Sequence, residues 1–102
     1  MQVGKSTLAI DNADVRVATW TLNAGEHTGR HRHELDYVVI PLTDGTTRIA
    51  MDHDAIPISM SRGVPYFRER GAQHDLINEG ERTLAFVEVE LKRAAPTATG
   101  EA

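Results

Sequence analysis

The sequence predicts a single all-β domain, a jelly-roll barrel, on three observations. Apolar residues alternate at period two along most of the chain, glycine-containing turns break that alternation into short runs, and no run shows the three-and-four spacing of an amphipathic helix. Period two is the strand period, because successive strand side chains point to opposite faces. About eight such strands bury their apolar faces by packing sheet on sheet, and a jelly roll hides most of the edges they would otherwise expose. At 102 residues the chain can build one core and not two.

Taken in order, Val15-Arg16-Val17 opens a strand that continues through Ala18, Trp20 and Leu22 and turns at Asn23-Ala24-Gly25. Tyr37 to Leu42 is rich in β-branched and apolar residues, and Thr43-Asp44-Gly45 ends it with hairpin chemistry, so Thr46 to Met51 reads as the return strand. Ile56 to Met60 also alternates, but Pro57 cannot donate to a ladder, which assigns this run to an edge or a bulge. Val64 to Arg68 and His74 to Asn78 form two more strands around Glu69-Arg70-Gly71. Thr83 to Lys92 is the longest, with Phe86, Glu88 and Glu90 on one face and Val87, Val89 and Leu91 on the other. Glu88 and Glu90 are expected on a solvated or subunit-facing side, with a ligating carboxylate as their second, more distant reading. The barrel is expected to span residues 1–93, and the tail from Ala94 has nothing to bury and is expected to fray.

Composition narrows the function. There is no cysteine, which excludes disulfides, a thiolate zinc site and a cysteine nucleophile. With no apolar segment at the N-terminus resembling a secretory signal, a cytoplasmic setting is expected. No apolar run approaches the roughly 20 residues of a membrane helix. The formal net charge of -4 argues against a nucleic-acid partner. Arg30, Arg32, Arg68 and Arg70 are interleaved with acids and read first as solvated surface, second as a clamp for an anionic ligand.

The chemistry sits in Gly29-Arg30-His31-Arg32-His33. Strand residues two apart share a face about 6.6 Å apart along the backbone. Two imidazoles so placed can lean onto one ion at about 2.0–2.1 Å each. In a chain with five histidines the same pattern also fits surface histidines on an exposed strand. Gly71-Ala72-Gln73-His74 places a third histidine at the head of a strand, and if that strand lies beside His31 and His33 the three imidazoles converge. His27 and His53 lie in turns and read as exposed.

The stretch Gly25 to Gly45 resembles the first cupin motif: a glycine, five residues, His-x-His, a short gap to a usual glutamate, then a glycine, with Gly25, His31, His33 and Gly45 in place. Gly63 to Asn78 resembles the second, through Gly63, Gly71, His74 and Asn78. Together the motifs and the segment between them cover about half the chain. The wider string around His31 to Gly45 and the ending Ala85 to Lys92 are similar to small single-domain cupins, one set of which is associated with β-alanine degradation. The resemblance implies a double-stranded β-helix, a metal on His31, His33 and His74, and a homodimer, for which the Ala55 to Met60 edge is a candidate surface.

Two positions depart from the motifs. Tyr37 stands where the usual glutamate completes the site, and Glu69 replaces the turn proline. Tyr37 shares the inward parity of His31 and His33, but a phenol with a pKa near 10 is a poor ligand for most divalent ions. It reads either as a hydrogen-bond donor or proton relay beside the metal, or as an aromatic filling the space the glutamate vacated. Tyr66 and Arg68 share a strand face and read as substrate-contacting residues at the mouth, or as packing and surface. Three imidazoles without a carboxylate suit zinc, iron or nickel alike. Three functions follow: a metal-dependent enzyme acting on a small carboxylate or carbonyl compound, a non-catalytic metal or small-ligand binding barrel, or a metal-free structural barrel.

Overall fold

The computed structural model describes residues 2–93, so the expectation of a frayed tail lies outside the described residues. They form nine strands: β1 (Lys5–Asp11), β2 (Val15–Leu22), β3 (His31–Arg32), β4 (Tyr37–Pro41), β5 (Gly45–Ala50), β6 (Ala55–Met60), β7 (Tyr66–Arg68), β8 (Gln73–Asn78) and β9 (Leu84–Leu91). Two antiparallel sheets face each other, one ordered β1-β2-β9-β4-β7 and the other β3-β8-β5-β6. This is the all-β double-stranded architecture expected from the alternation.

The inward faces follow from parity. In β4, Tyr37, Val39 and Pro41 are buried while Val38 and Ile40 are less so, and in β8 the buried residues are His74, Leu76 and Asn78. Leu22, Tyr37, Val39, Met60, Leu76, Leu84 and Phe86 make the core, with Trp20, Ile49 and Tyr66 packed against it. Burial of such side chains contributes roughly 1.5–3 kcal/mol each. Asn78 is buried without penalty because its amide is used: Nδ2 donates to the Leu22 and Arg82 carbonyls, and Oδ1 accepts from Gly80 N–H. Gly45 keeps its place for steric reasons, since a Cβ there would collide with the Leu84 side chain.

Pro57 does lie on an edge, because β6 ends the four-stranded sheet. Three expectations are corrected. Thr43-Asp44-Gly45 is not a hairpin: β4 and β5 belong to different sheets, and the turn carries the chain across the barrel. Its anchoring is to β9, through Leu42 N–H to the Ala85 carbonyl and Ala85 N–H to Thr43 Oγ1. Secondly, β1 is an additional strand. Every one of its residues is exposed, so it carries no one-sided burial pattern, and it is held by its ladder to β2. The Asn12 side chain closes that hairpin, Oδ1 accepting from Asp14 and Val15 N–H. Thirdly, Glu88 and Glu90 are not on an outward face. They share parity with Phe86 and sit across from Val39 and Tyr37, on the inner side of their sheet.

Candidate metal centre

The local fold brings the three histidines together by register. His31 in β3 and His74 in β8 are direct cross-strand partners, so their side chains share one face. His33 lies just beyond β3, but its N–H donates to the Ala72 carbonyl and its own carbonyl accepts from Gly71 N–H at 2.7 Å, which extends the pairing. Gly71 reaches that position with φ 101°, a conformation that β-carbon-bearing residues rarely adopt. The turn glycine therefore sets the phase of His33 against His74.

The ring centroids are 4.5 Å apart for His31 and His33, and 4.8 Å for each of the two pairs with His74. One ligand nitrogen from each ring lies within 4.8 Å of the others. The Nδ1–H of His31 is placed to donate to the Gly29 carbonyl at 2.6 Å, which leaves its Nε2 lone pair facing His33 Nε2 at 2.9 Å. Both ring nitrogens of His74 are buried with no hydrogen-bond partner. Buried polar atoms ordinarily find partners, so a nitrogen orphaned beside two other imidazoles is the signature of a donor set that fits a metal ion. Burial, reinforced by the other imidazoles, lowers the pKa of His33 to about 3. Burial also lowers His74 to about 4, with the charges of His31 and Arg68 acting in the same direction. The two rings stay neutral near pH 7, the form in which imidazole binds metal.

Tyr37 faces the site, with its ring stacked on His33 at 3.8 Å between centroids and 18° between planes. Burial, together with the Glu88 charge, raises its pKa above the ordinary phenol value, so the hydroxyl keeps its proton. Arg68 is the cross-strand partner of Tyr37, and its guanidinium lies 4.5 Å over the Tyr66 ring. Burial pushes the Tyr66 phenol up to about 12. Tyr37, Arg68 and His74 all line one cavity of about 260 Å³, whose remaining wall is mainly aliphatic, from Ile49, Met51, Ile56 and Ile58. A larger cleft of about 540 Å³, bounded by Arg16, Arg32, Glu34, Glu90 and Lys92, contains none of the histidines.

Sequence reasoning misplaced two titratable groups. Glu88 lies inside the barrel, where burial and the Glu90 charge push its carboxyl up to about 7 against the opposing hydrogen bond from Trp20. Its parity with Phe86 was the available signal. His27 is half-buried rather than exposed and pairs with Asp75 at 2.7 Å, a contact between residues too far apart in sequence to be read locally. His53 is exposed, as expected of a turn histidine. Arg70 is not solvated surface: its N–H and Nε bind Asp36 Oδ1 at 2.8 and 3.3 Å, pinning the segment that follows His33.

No protein-family profile matches the chain. The β-alanine degradation protein BauB of Pseudomonas aeruginosa is 43% identical over 86 residues, covering 84% of this chain and 90% of that protein. A cupin domain from Bordetella pertussis, known from its crystal structure, is 37% identical with a TM-score of 0.87, covering 90% of this chain and 96% of that one. A cupin with a double-stranded β-helix fold from Methanocaldococcus jannaschii shares the fold at a TM-score of 0.74 and 14% identity, covering 89% and 82% of the respective chains. On the sequence relationship to the first two and the two-sheet barrel with its histidine cluster, the chain belongs to the cupin superfamily and resembles its small members.

Proposed function

We propose that this cupin holds a divalent transition metal, zinc, iron or nickel, on His31, His33 and His74, and presents it to a small carboxylate or carbonyl ligand in the adjoining cavity. The observation that carries this reading is His74, buried with two unpartnered nitrogens against His31 and His33. A bound divalent ion would polarise a carbonyl or acidify a bound water there. The chain's own residues do the rest. His31 is fixed in one tautomer by Gly29, Tyr37 keeps a proton to donate or relay, and Tyr66 supports Arg68 as the cation for a carboxylate.

Identity to a β-alanine degradation protein makes the small carboxylates of such a process the first compounds to test. The cavity is smaller than the roughly 300 Å³ at which pockets for drug-sized ligands begin, which suits a metabolite of a few heavy atoms. A second reading is a binding barrel without turnover, favoured by the exposed Met51 and Ile56 on the cavity wall, which leave the ligand open to water. Stoichiometric iron in protein purified without a His tag would favour oxygen chemistry, and zinc or nickel a hydrolytic or isomerising role. A cysteine-free chain suits the reducing cytoplasm, which we propose as its setting.

Added zinc or nickel is expected to raise the thermal midpoint at pH 7.5, with the gain fading toward pH 5 as protons compete for the imidazoles. No metal-dependent shift at either pH removes the metal reading. Homodimerisation through the open edge of β6 is part of the same proposal. Sedimentation equilibrium is expected to return twice the chain mass, and a monomer at tens of micromolar would refute it.

A further inference from the structure

The cavity beside the histidines has an asymmetric charge. Arg68 is the one full charge on its wall, and among the described residues no carboxylate forms a salt bridge with it. The guanidinium lies over the Tyr66 ring, and its Nη1 donates to the Phe67 carbonyl at 3.0 Å, so it is positioned without being neutralised. On the opposite sheet His74 presents its unpartnered nitrogens. Ile49, Ile56 and Ile58 supply apolar wall. Nothing on that wall is acidic. Glu88, on the inner face of the same sheet, is not part of the lining, although its charge reaches Tyr37 and Tyr66.

A cation without a counter-charge in an apolar cavity recognises an anion, and it repels a second cation. We infer that the cavity selects short aliphatic carboxylates carrying a neutral oxygen group, hydroxy or oxo, and rejects the amino acid of the same skeleton. The carboxylate sits on Arg68 and the neutral oxygen points toward the histidines. With the ion bound, an ammonium group in that position faces a second cation and has no acid on the wall to pair with. The discrimination comes from repulsion as well as attraction. Compounds of this class are what a short amino acid becomes once its nitrogen has been removed, so a deaminating or transaminating reaction supplies the ligand. This inference rests on the proposed metal on the three histidines for the rejection of the ammonium, while the attraction of the carboxylate rests on Arg68.

The test uses 4-hydroxybutyrate and 4-aminobutyrate, titrated by NMR into both metal-free and zinc-loaded protein, with zinc affinity measured separately by calorimetry. The hydroxy acid is expected to perturb the Ile49, Ile58 and Tyr37 resonances saturably in both forms and, in the zinc-loaded form, to bind at least about tenfold more tightly than the amino acid. Arg68→Gln is expected to weaken the hydroxy acid by about tenfold or more, and Arg68→Lys to restore part of the loss, with zinc affinity within about threefold of wild type in each. Equal affinity for the two compounds in the zinc-loaded protein, no saturable binding of the hydroxy acid, or full affinity in Arg68→Gln would overturn the inference. If zinc fails to bind the wild-type protein, the metal reading falls and the rejection of the amino acid with it, while the metal-free titrations still decide whether Arg68 holds the carboxylate.

Discussion

Replacing His74 with alanine is expected to remove zinc binding while leaving the metal-free barrel folded. Loss of a ligand costs more than the roughly 10–100-fold that follows loss of a group behind a ligand, so zinc affinity should fall by more than about 100-fold. At a hundredfold excess over its dissociation constant a ligand stabilises by about 2.7 kcal/mol, or roughly 10–20 °C for a domain of this size, and the variant forfeits that rise. The metal-free proteins should behave differently. At pH 7.5 the variant should lie within about 1 kcal/mol of wild type, since the packing lost is offset by the removal of two buried nitrogens without partners.

Acidification separates them further. The folded His74 pKa is lowered to about 4 from 6.5, so between those values the unfolded chain takes up a proton that the folded chain refuses. Wild type loses stability over that window as pH falls, and the alanine variant lacks that contribution. Urea denaturation at pH 7.5 and 5 reads both effects. A variant that keeps its zinc response, or that is no less acid-sensitive than wild type when metal-free, would contradict the role given to His74.

Glu88→Gln is expected to stabilise the protein at alkaline pH. The folded carboxyl is raised to about 7, above its ordinary value of 4.5, so the folded chain holds this proton where the unfolded chain has lost it. Stability attributable to Glu88 is intact below pH 4.5 and is lost as pH rises through about 7. Glutamine keeps an acceptor for the Trp20 indole and carries no charge to desolvate. At pH 8 the variant should be more stable by about 2 kcal/mol, the full linkage value being reduced because the carboxyl is only half-buried, and the gap should close toward pH 4.5. A gap independent of pH would mean that the carboxyl is solvated in the folded protein.

Glu88 also marks a limit of reading a strand by parity. The alternation of Phe86, Glu88 and Glu90 against Val87, Val89 and Leu91 was visible, but both faces of β9 carry apolar residues. Only the partner strands decide which face is inward, and Val39 and Tyr37 settle it. β1 shows the complementary limit, because its ladder to β2 exists without the one-sided burial that periodicity detects. Thr43-Asp44-Gly45 shows a third, since local turn chemistry does not reveal whether the next strand pairs with the last or crosses to the other sheet.

By itself, the sequence determined what is local: the all-β class, the positions of β2 and of β4 to β9, the edge placement imposed by Pro57, and the shared face of His31 and His33. Those properties depend on side-chain alternation and on the backbone limits of proline and glycine, which act over a few residues. Tertiary structure decided what joins distant segments. It placed His74 opposite His31, stacked Tyr37 on His33, set Arg68 over Tyr66 on the cavity wall, turned Glu88 inward and paired His27 with Asp75. The reason is register: a one-residue slip between β3 and β8 would carry His74 to the opposite face, and that register is set by the Gly71 turn and by burial in the assembled barrel, which exist only once both sheets have closed.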